Sequence, residues 1–161
     1  MNTVSGWIES VEKVIAMILI AAMTLVIAAA VVFRYFFHAP LFWANEASIF
    51  MMAWITFIGG SLGLKYKSQA SITFLVDRLS FKSKKILEII SYTIILVFMA
   101  MLLYLSYEWV ISVSHQKSTS MRIPMWIPYL SVPVGLTFAF IHLINNLIKT
   151  FKSKQQGGEP L

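Results

Sequence analysis

Polar residues interrupt this chain at only a few places, and between them lie four apolar runs at about 14–33, 47–64, 86–105 and 128–147. Each run is close to the ~20 residues that a helix needs to cross ~30 Å of hydrocarbon. The stretches between them are about twenty residues or shorter, too little to fold alone. The pattern therefore predicts an all-α membrane protein in which residues 1–161 form a single domain of four transmembrane helices.

Two weaker segments add to this plan. Trp7, Ile8, Val11, Val14 and Ile15 recur at helical spacing with Glu9, Glu12 and Lys13 between them, which predicts a short interfacial helix leading into the first span. Between spans two and three, Ile72, Leu75 and Leu79 share a helical face, with Phe74 and Phe81 nearby. Ten apolar-leaning residues cannot cross a bilayer, so residues 70–81 read as an amphipathic helix lying in the headgroup layer. The first run exceeds the ~7–15 residues of a signal-peptide core, and the two acids ahead of it weaken a positive leader, so it reads as a retained helix.

Finer patterning suggests how the spans pack. Ala21, Thr24 and Ala28 share a face of the first span and would allow close helix approach. In the second, Trp43, Glu46, Phe50, Trp54 and Phe57 recur at steps of three and four, and Gly59 and Gly63 form a G-x-x-x-G pair. These aromatic and small residues are the candidate surface for gripping a larger partner. Pro124 and Pro128 around Trp126 predict a rigid bend before the last span, and Pro133 predicts a kink within it.

Charge sets the orientation. If the chain threads back and forth, Lys13, Lys65, Lys67, Arg78, Lys82, Lys84, Lys85, Lys149, Lys152 and Lys154 share one side. Only Arg34, Lys117 and Arg122 lie on the other. Positive residues collect on the cytoplasmic side, so both termini are expected there. A cysteine introduced at Ser118 should then report outside, and one at Ser83 inside. The net charge of +6 belongs to lysines flanking membrane spans, where they meet phospholipid headgroups, and gives no case for nucleic acid. With 58% hydrophobic and 12% charged residues, no room remains for a separate soluble domain. The absence of cysteine removes thiolate metal sites and a cysteine nucleophile.

No active site emerges. His38 and His115 fall in outward loops and His142 near the inner end of the last span, without the spacing of a haem or zinc site. Serines lack a nucleophile-elbow motif. Glu46, the most notable acid, is expected to pair with Arg34 across the short loop. A carrier needs polar groups near the membrane midplane, and spans one and three have neither a central charge nor a proline break. The residues thus point to a scaffold or accessory subunit, with an assembly factor of an unrelated complex and a small stand-alone carrier as the alternatives.

Phe33-Arg34-Tyr35-Phe36, then Pro40, Trp43, Glu46, Trp54 and Gly59, resemble the opening signature of the small, DctQ-like membrane subunit of tripartite ATP-independent periplasmic (TRAP) transporters. Ile123-Pro124-Met125-Trp126, Tyr129, Pro133 and Gly135 resemble that family's approach to its last helix. The chain departs from the family in having Asn45 before Glu46, where paired acids are frequent, and Gln69-Ala70-Ser71 where a histidine is frequent. The resemblance implies a bacterial inner-membrane scaffold for a large, sodium-binding, elevator-type subunit, supplied by a periplasmic binding protein. It implies no cofactor here, since sodium belongs on the large subunit. It also implies import of an organic acid, with sialic acid the nearest branch and C4-dicarboxylates the next. Trp43, Glu46, Phe50, Trp54, Gly59 and Gly63 become candidates for the large-subunit interface. Arg34, Lys117 and Arg122 become candidates for docking the binding protein.

Overall fold

Nothing between Asn2 and Tyr35 stops a helix, since Gly6 is the only breaker and proline is absent. In the computed structural model, which describes residues 2–67 and 81–152, helix α1 (Asn2–Tyr35) is accordingly one continuous rod. Its 34 residues rise about 51 Å, well beyond the ~30 Å of hydrocarbon. The expected lead-in helix and first span are therefore one element. Pro40 disfavours helical backbone at the residue before it. His38, at φ 51°, turns the chain, and the Ala39 amide donates to the Phe33 carbonyl at 3.1 Å.

Helices α2 (Phe42–Lys67), α3 (Phe81–Ser112), α4 (Trp126–Tyr129) and α5 (Ser131–Lys152) complete the described chain. Four helices are long and apolar enough to cross a membrane: Ser5–Tyr35, Phe42–Tyr66, Ile89–Ser112 and Trp126–Ile148. The interfacial helix expected at 70–81 falls almost wholly on residues outside those described.

Helix α5 occupies the centre. It packs along α2 on one side and α3 on the other, while α1 lies against the far side of α2 and reaches α5 locally. The result is an α1–α2–α5–α3 row rather than a closed square bundle. Tyr92 and Met99 of α3 meet Ala139 and Leu143 of α5 in the main core cluster, flanked by Leu96, Leu136, Phe140 and Leu147. At the α2–α5 crossing, a Cβ placed on Gly135 would lie 2.7 Å from Phe57 Cβ, 2.7 Å from its carbonyl oxygen and 2.8 Å from its carbonyl carbon. Hydrogen at that position is what lets the two backbones touch.

Proline acts earlier than the sequence suggests. The last span breaks at Leu130, between α4 and α5, and Pro133 sits in the first turn of α5, where a missing amide costs little. Hydrogen bonds bridge the break, from Leu130 to the Trp126 carbonyl at 2.9 Å and from Val134 to the Leu130 carbonyl at 3.1 Å. Tyr129 packs against Trp109 of α3 with its ring tilted by 44° and the centroids 4.5 Å apart, which anchors the bend.

The apolar window of α1 has no buried residue. Ala21, Thr24 and Ala28 are exposed, so within this chain they serve no helix contact. A row of helices this open leaves wide apolar faces for lipid or a partner.

Candidate functional site

Two polar clusters sit at opposite ends of this apolar row. At the end that the charge pattern assigns to the outside (the outer end, the opposite one being the inner end), Glu46 projects from the second turn of α2 toward the loop between α3 and α4. One carboxylate oxygen accepts the Thr119 amide at 3.0 Å, and the other accepts those of Ser120 at 3.0 Å and Met121 at 2.7 Å. Three consecutive amides aimed at one carboxylate form an anion-binding nest. The loop is braced for the task. Ser118 donates to the Ile123 carbonyl at 2.8 Å, its hydroxyl accepts the Ile123 amide at 3.1 Å, and Met125 donates to Gln116 at 2.9 Å. Arg122 takes a left-handed backbone, φ 53°, to close the turn. The expected Arg34–Glu46 pair is thus not what forms, because amides held at fixed positions meet the carboxylate first. Ser118 is only 4% exposed, so it is also a poor position for a labelling cysteine.

At the inner end, His142 of α5 lies between two residues of α1. Its Nδ1 is 2.8 Å from Ser5 Oγ and its Nε2 is 2.9 Å from Glu12 Oε2. The order serine–histidine–carboxylate is that of a hydrolase triad. Yet Ser5, His142 and Glu12 are 3%, 1% and 0% exposed, so no substrate reaches the hydroxyl. The network is a helix clamp. One turn nearer the terminus, Glu9 binds Lys13 at 2.6 Å, Lys65 of α2 at 2.6 Å and the Tyr66 hydroxyl, and Lys65 also donates to the Ser5 carbonyl at 2.9 Å.

This inner cluster was not read from the sequence, which presented Trp7 and Ile8 as one apolar face. Trp7 is 71% exposed, while Ser5, Ile8 and Glu12 form the buried side. The available signal was His142, an ionisable group in an apolar helix that needs a polar partner.

Between the clusters, threonine hydroxyls are returned to their own helices, whereas the buried Ser61 and Ser131 hydroxyls have no hydrogen-bond partner. Thr24, Thr56 and Thr93 each donate to the carbonyl four residues back at 2.8 Å, and Thr137 does so at 2.6 Å. Among the described residues, no three histidines or acids could hold a metal ion.

The candidate interface residues divide between two faces. Trp43 is exposed, but Phe50 and Trp54 are half-buried and Glu46 is engaged with the loop. Gly59 lies roughly 160° round the helix from Trp43 at 3.6 residues per turn. A Cβ on Gly59 or Gly63 would meet nothing within 4 Å, so these glycines border an open face rather than a contact inside the chain. Lys117 and Arg122 are exposed on the outer loop, and Arg34 is exposed at the end of α1.

A row of four helices, each long and apolar enough to cross a membrane, defines the class as a multi-span membrane protein. Residues 23–153 match the family of tripartite ATP-independent periplasmic transporters, DctQ component, and the chain belongs to that family. It is 24% identical to the C4-dicarboxylate TRAP transporter small permease protein DctQ of Vibrio cholerae, over 91% of this chain and 75% of that protein. It is 25% identical to the sialic acid TRAP transporter small permease protein SiaQ of the same organism, over 88% of this chain and 84% of that one. The isethionate TRAP transporter permease protein DctMQ of Oleidesulfovibrio alaskensis is also 25% identical, over 88% of this chain but 24% of its own length. The chain is thus a small TRAP permease subunit, a transport component rather than an enzyme. Relatives named for three different substrates match it at nearly the same identity.

Proposed function

We propose that this chain is the fixed scaffold of a sodium-coupled, binding-protein-dependent importer of an organic acid. The observation that carries the reading is the division of polar groups between the two ends of the helix row. The clamps join α1 to α5, α1 to α2, and α2 to the outer loop, while mid-span threonine hydroxyls satisfy their own backbones. Such a body resists deformation and offers no midplane site for a substrate. Transport, sodium binding and substrate choice then fall to a large membrane subunit. The length of the DctMQ relative, of which this chain matches about a quarter, supports that partnership.

The open α2 face around Gly59 and Gly63 receives the large subunit, and the opposite side, carrying Trp43, Phe50 and Trp54 together with Glu46, supports it from behind. The outer loop presents Lys117 and Arg122 on a rigid turn for an acidic periplasmic binding protein, whereas Arg34 lines the separate α1–α2 cavity. Charges so placed act mainly on association rate and its salt dependence. The inner membrane is the location, with both termini cytoplasmic. Sialic acid is the first substrate to test, followed by C4-dicarboxylates.

Co-expression with the neighbouring large subunit tests the reading. The two should co-purify, and only the complex with its binding protein should take up organic acid under a sodium gradient. Uptake by this chain alone in liposomes would overturn the scaffold assignment. Orientation is checked with Ser120→Cys, which is exposed, and Ser83→Cys. An impermeant reagent added outside should label the first and not the second, and the reverse pattern would refute the charge argument.

A further inference from the structure

Between α1 and α2, next to the turn that joins them, lies an open-sided cavity of about 330 Å³, and Ile27 and Val31 on its wall are 45% and 50% exposed. Ile27, Ala30, Val31 and Arg34 line it from α1 at helical steps of three, one and three; Ala44 and Asn45 face them from α2. Arg34 and Asn45 occupy its outer part, and Ile27 lies about two turns deeper along α1. Small side chains make the space, since Ala44 is 1% exposed at the floor and Ala30 stands opposite.

Arg34 has no carboxylate partner among the described residues, because Glu46 is committed to the amides of Thr119, Ser120 and Met121. An exposed guanidinium at the end of a spanning helix, beside rings such as Phe36 at 80% and Phe42 at 77% exposure, sits where headgroups lie. We propose that this cavity is a phospholipid site. The phosphodiester of an anionic lipid is held by Arg34, its glycerol ester region lies against Asn45, and one acyl chain runs along Ile27, Ala30 and Val31. A planar guanidinium fork suits a phosphate oxygen pair, and an apolar wall below it suits the chain. The site rests on the membrane-spanning reading but not on the scaffold assignment.

The test uses the complex with the large subunit, reconstituted in nanodiscs containing phosphatidylglycerol with a photoreactive acyl chain. Cross-linked peptides should map to residues 27–48. One surface cation is worth about fivefold toward an anionic lipid, so Arg34→Gln should lower this labelling about fivefold and Arg34→Lys far less. Ala30→Leu, which fills the cavity without touching charge, should also lower it. Complex recovery for each variant separates loss of lipid from loss of fold. Undiminished labelling in both Arg34→Gln and Ala30→Leu would overturn the site. So would displacement by millimolar inorganic phosphate, which would assign the cation to a free anion. Labelling of the isolated chain that vanishes in the complex would assign the cavity to the large subunit instead, and also overturns it.

Discussion

Substituting alanine for Gly135 adds one methyl group where α5 lies against the backbone of α2 at Phe57. The new Cβ would lie 2.7 Å from both Phe57 Cβ and Phe57 O, whereas carbon atoms rest at about 3.5–4.0 Å. The shortfall is about 1 Å. Because the obstructing atoms are backbone and Cβ, no rotamer change relieves them, and α2 must move away from α5. Overpacking of this kind costs about 1–3 kcal/mol. Alanine also favours a helix over glycine by roughly 0.5–1 kcal/mol, which offsets part of the loss. Gly59→Ala and Gly60→Ala share that gain without the clash, since a Cβ at either meets nothing within 4 Å. The difference between Gly135→Ala and these two controls therefore isolates the clash. On the soluble-domain scale of ~2–4 °C per kcal/mol, it should appear as a gap of roughly 2–12 °C in Tm. Thermal unfolding of detergent-solubilised protein, followed by size-exclusion fluorescence, measures it. Phe57→Ala should not rescue Gly135→Ala, because alanine keeps the Cβ, carbon and oxygen that obstruct. Equal Tm values for Gly135→Ala and Gly59→Ala would refute the close-contact argument, and rescue by Phe57→Ala would move the clash to the ring.

Removing His142 as His142→Ala strands the buried Glu12 carboxylate, and a buried polar group left without a partner costs about 1–3 kcal/mol. Glu12→Gln, which keeps an acceptor for the imidazole, should cost less; the reverse ranking in a thermal assay would dismiss the clamp. Glu46→Ala should speed hydrogen exchange at the Thr119, Ser120 and Met121 amides while leaving α5 amides protected, and unchanged exchange would show that the carboxylate does not hold the loop. Arg122→Gly suits the left-handed backbone at φ 53°, so it should leave stability level or raised while slowing low-salt association with the binding protein. A stability loss with unaltered association would remove Arg122 from the docking surface.

Hydropathy alone was enough to number the spans, because transfer into hydrocarbon is a local free energy summed over about twenty neighbouring residues. The turn after the first span, the bend ahead of the last span and the family signature from Phe33 to Gly59 were legible for similar reasons, each resting on residues close in sequence. Partner choice was not. Glu46 faced Arg34 twelve positions away on paper, but the fold brings it amides 73 to 75 residues distant. Glu12 and His142 meet across 130 residues, a pairing no periodicity contains. The glycines show the same limit. A G-x-x-x-G spacing drew attention to Gly59 and Gly63, yet Gly135 is the one against a neighbouring backbone. Spacing assigns a residue to a face of its own helix; which face meets another helix depends on how that helix is rotated and placed, and each residue step turns the face by about 100°. That rotation is settled only when the whole row of helices packs together.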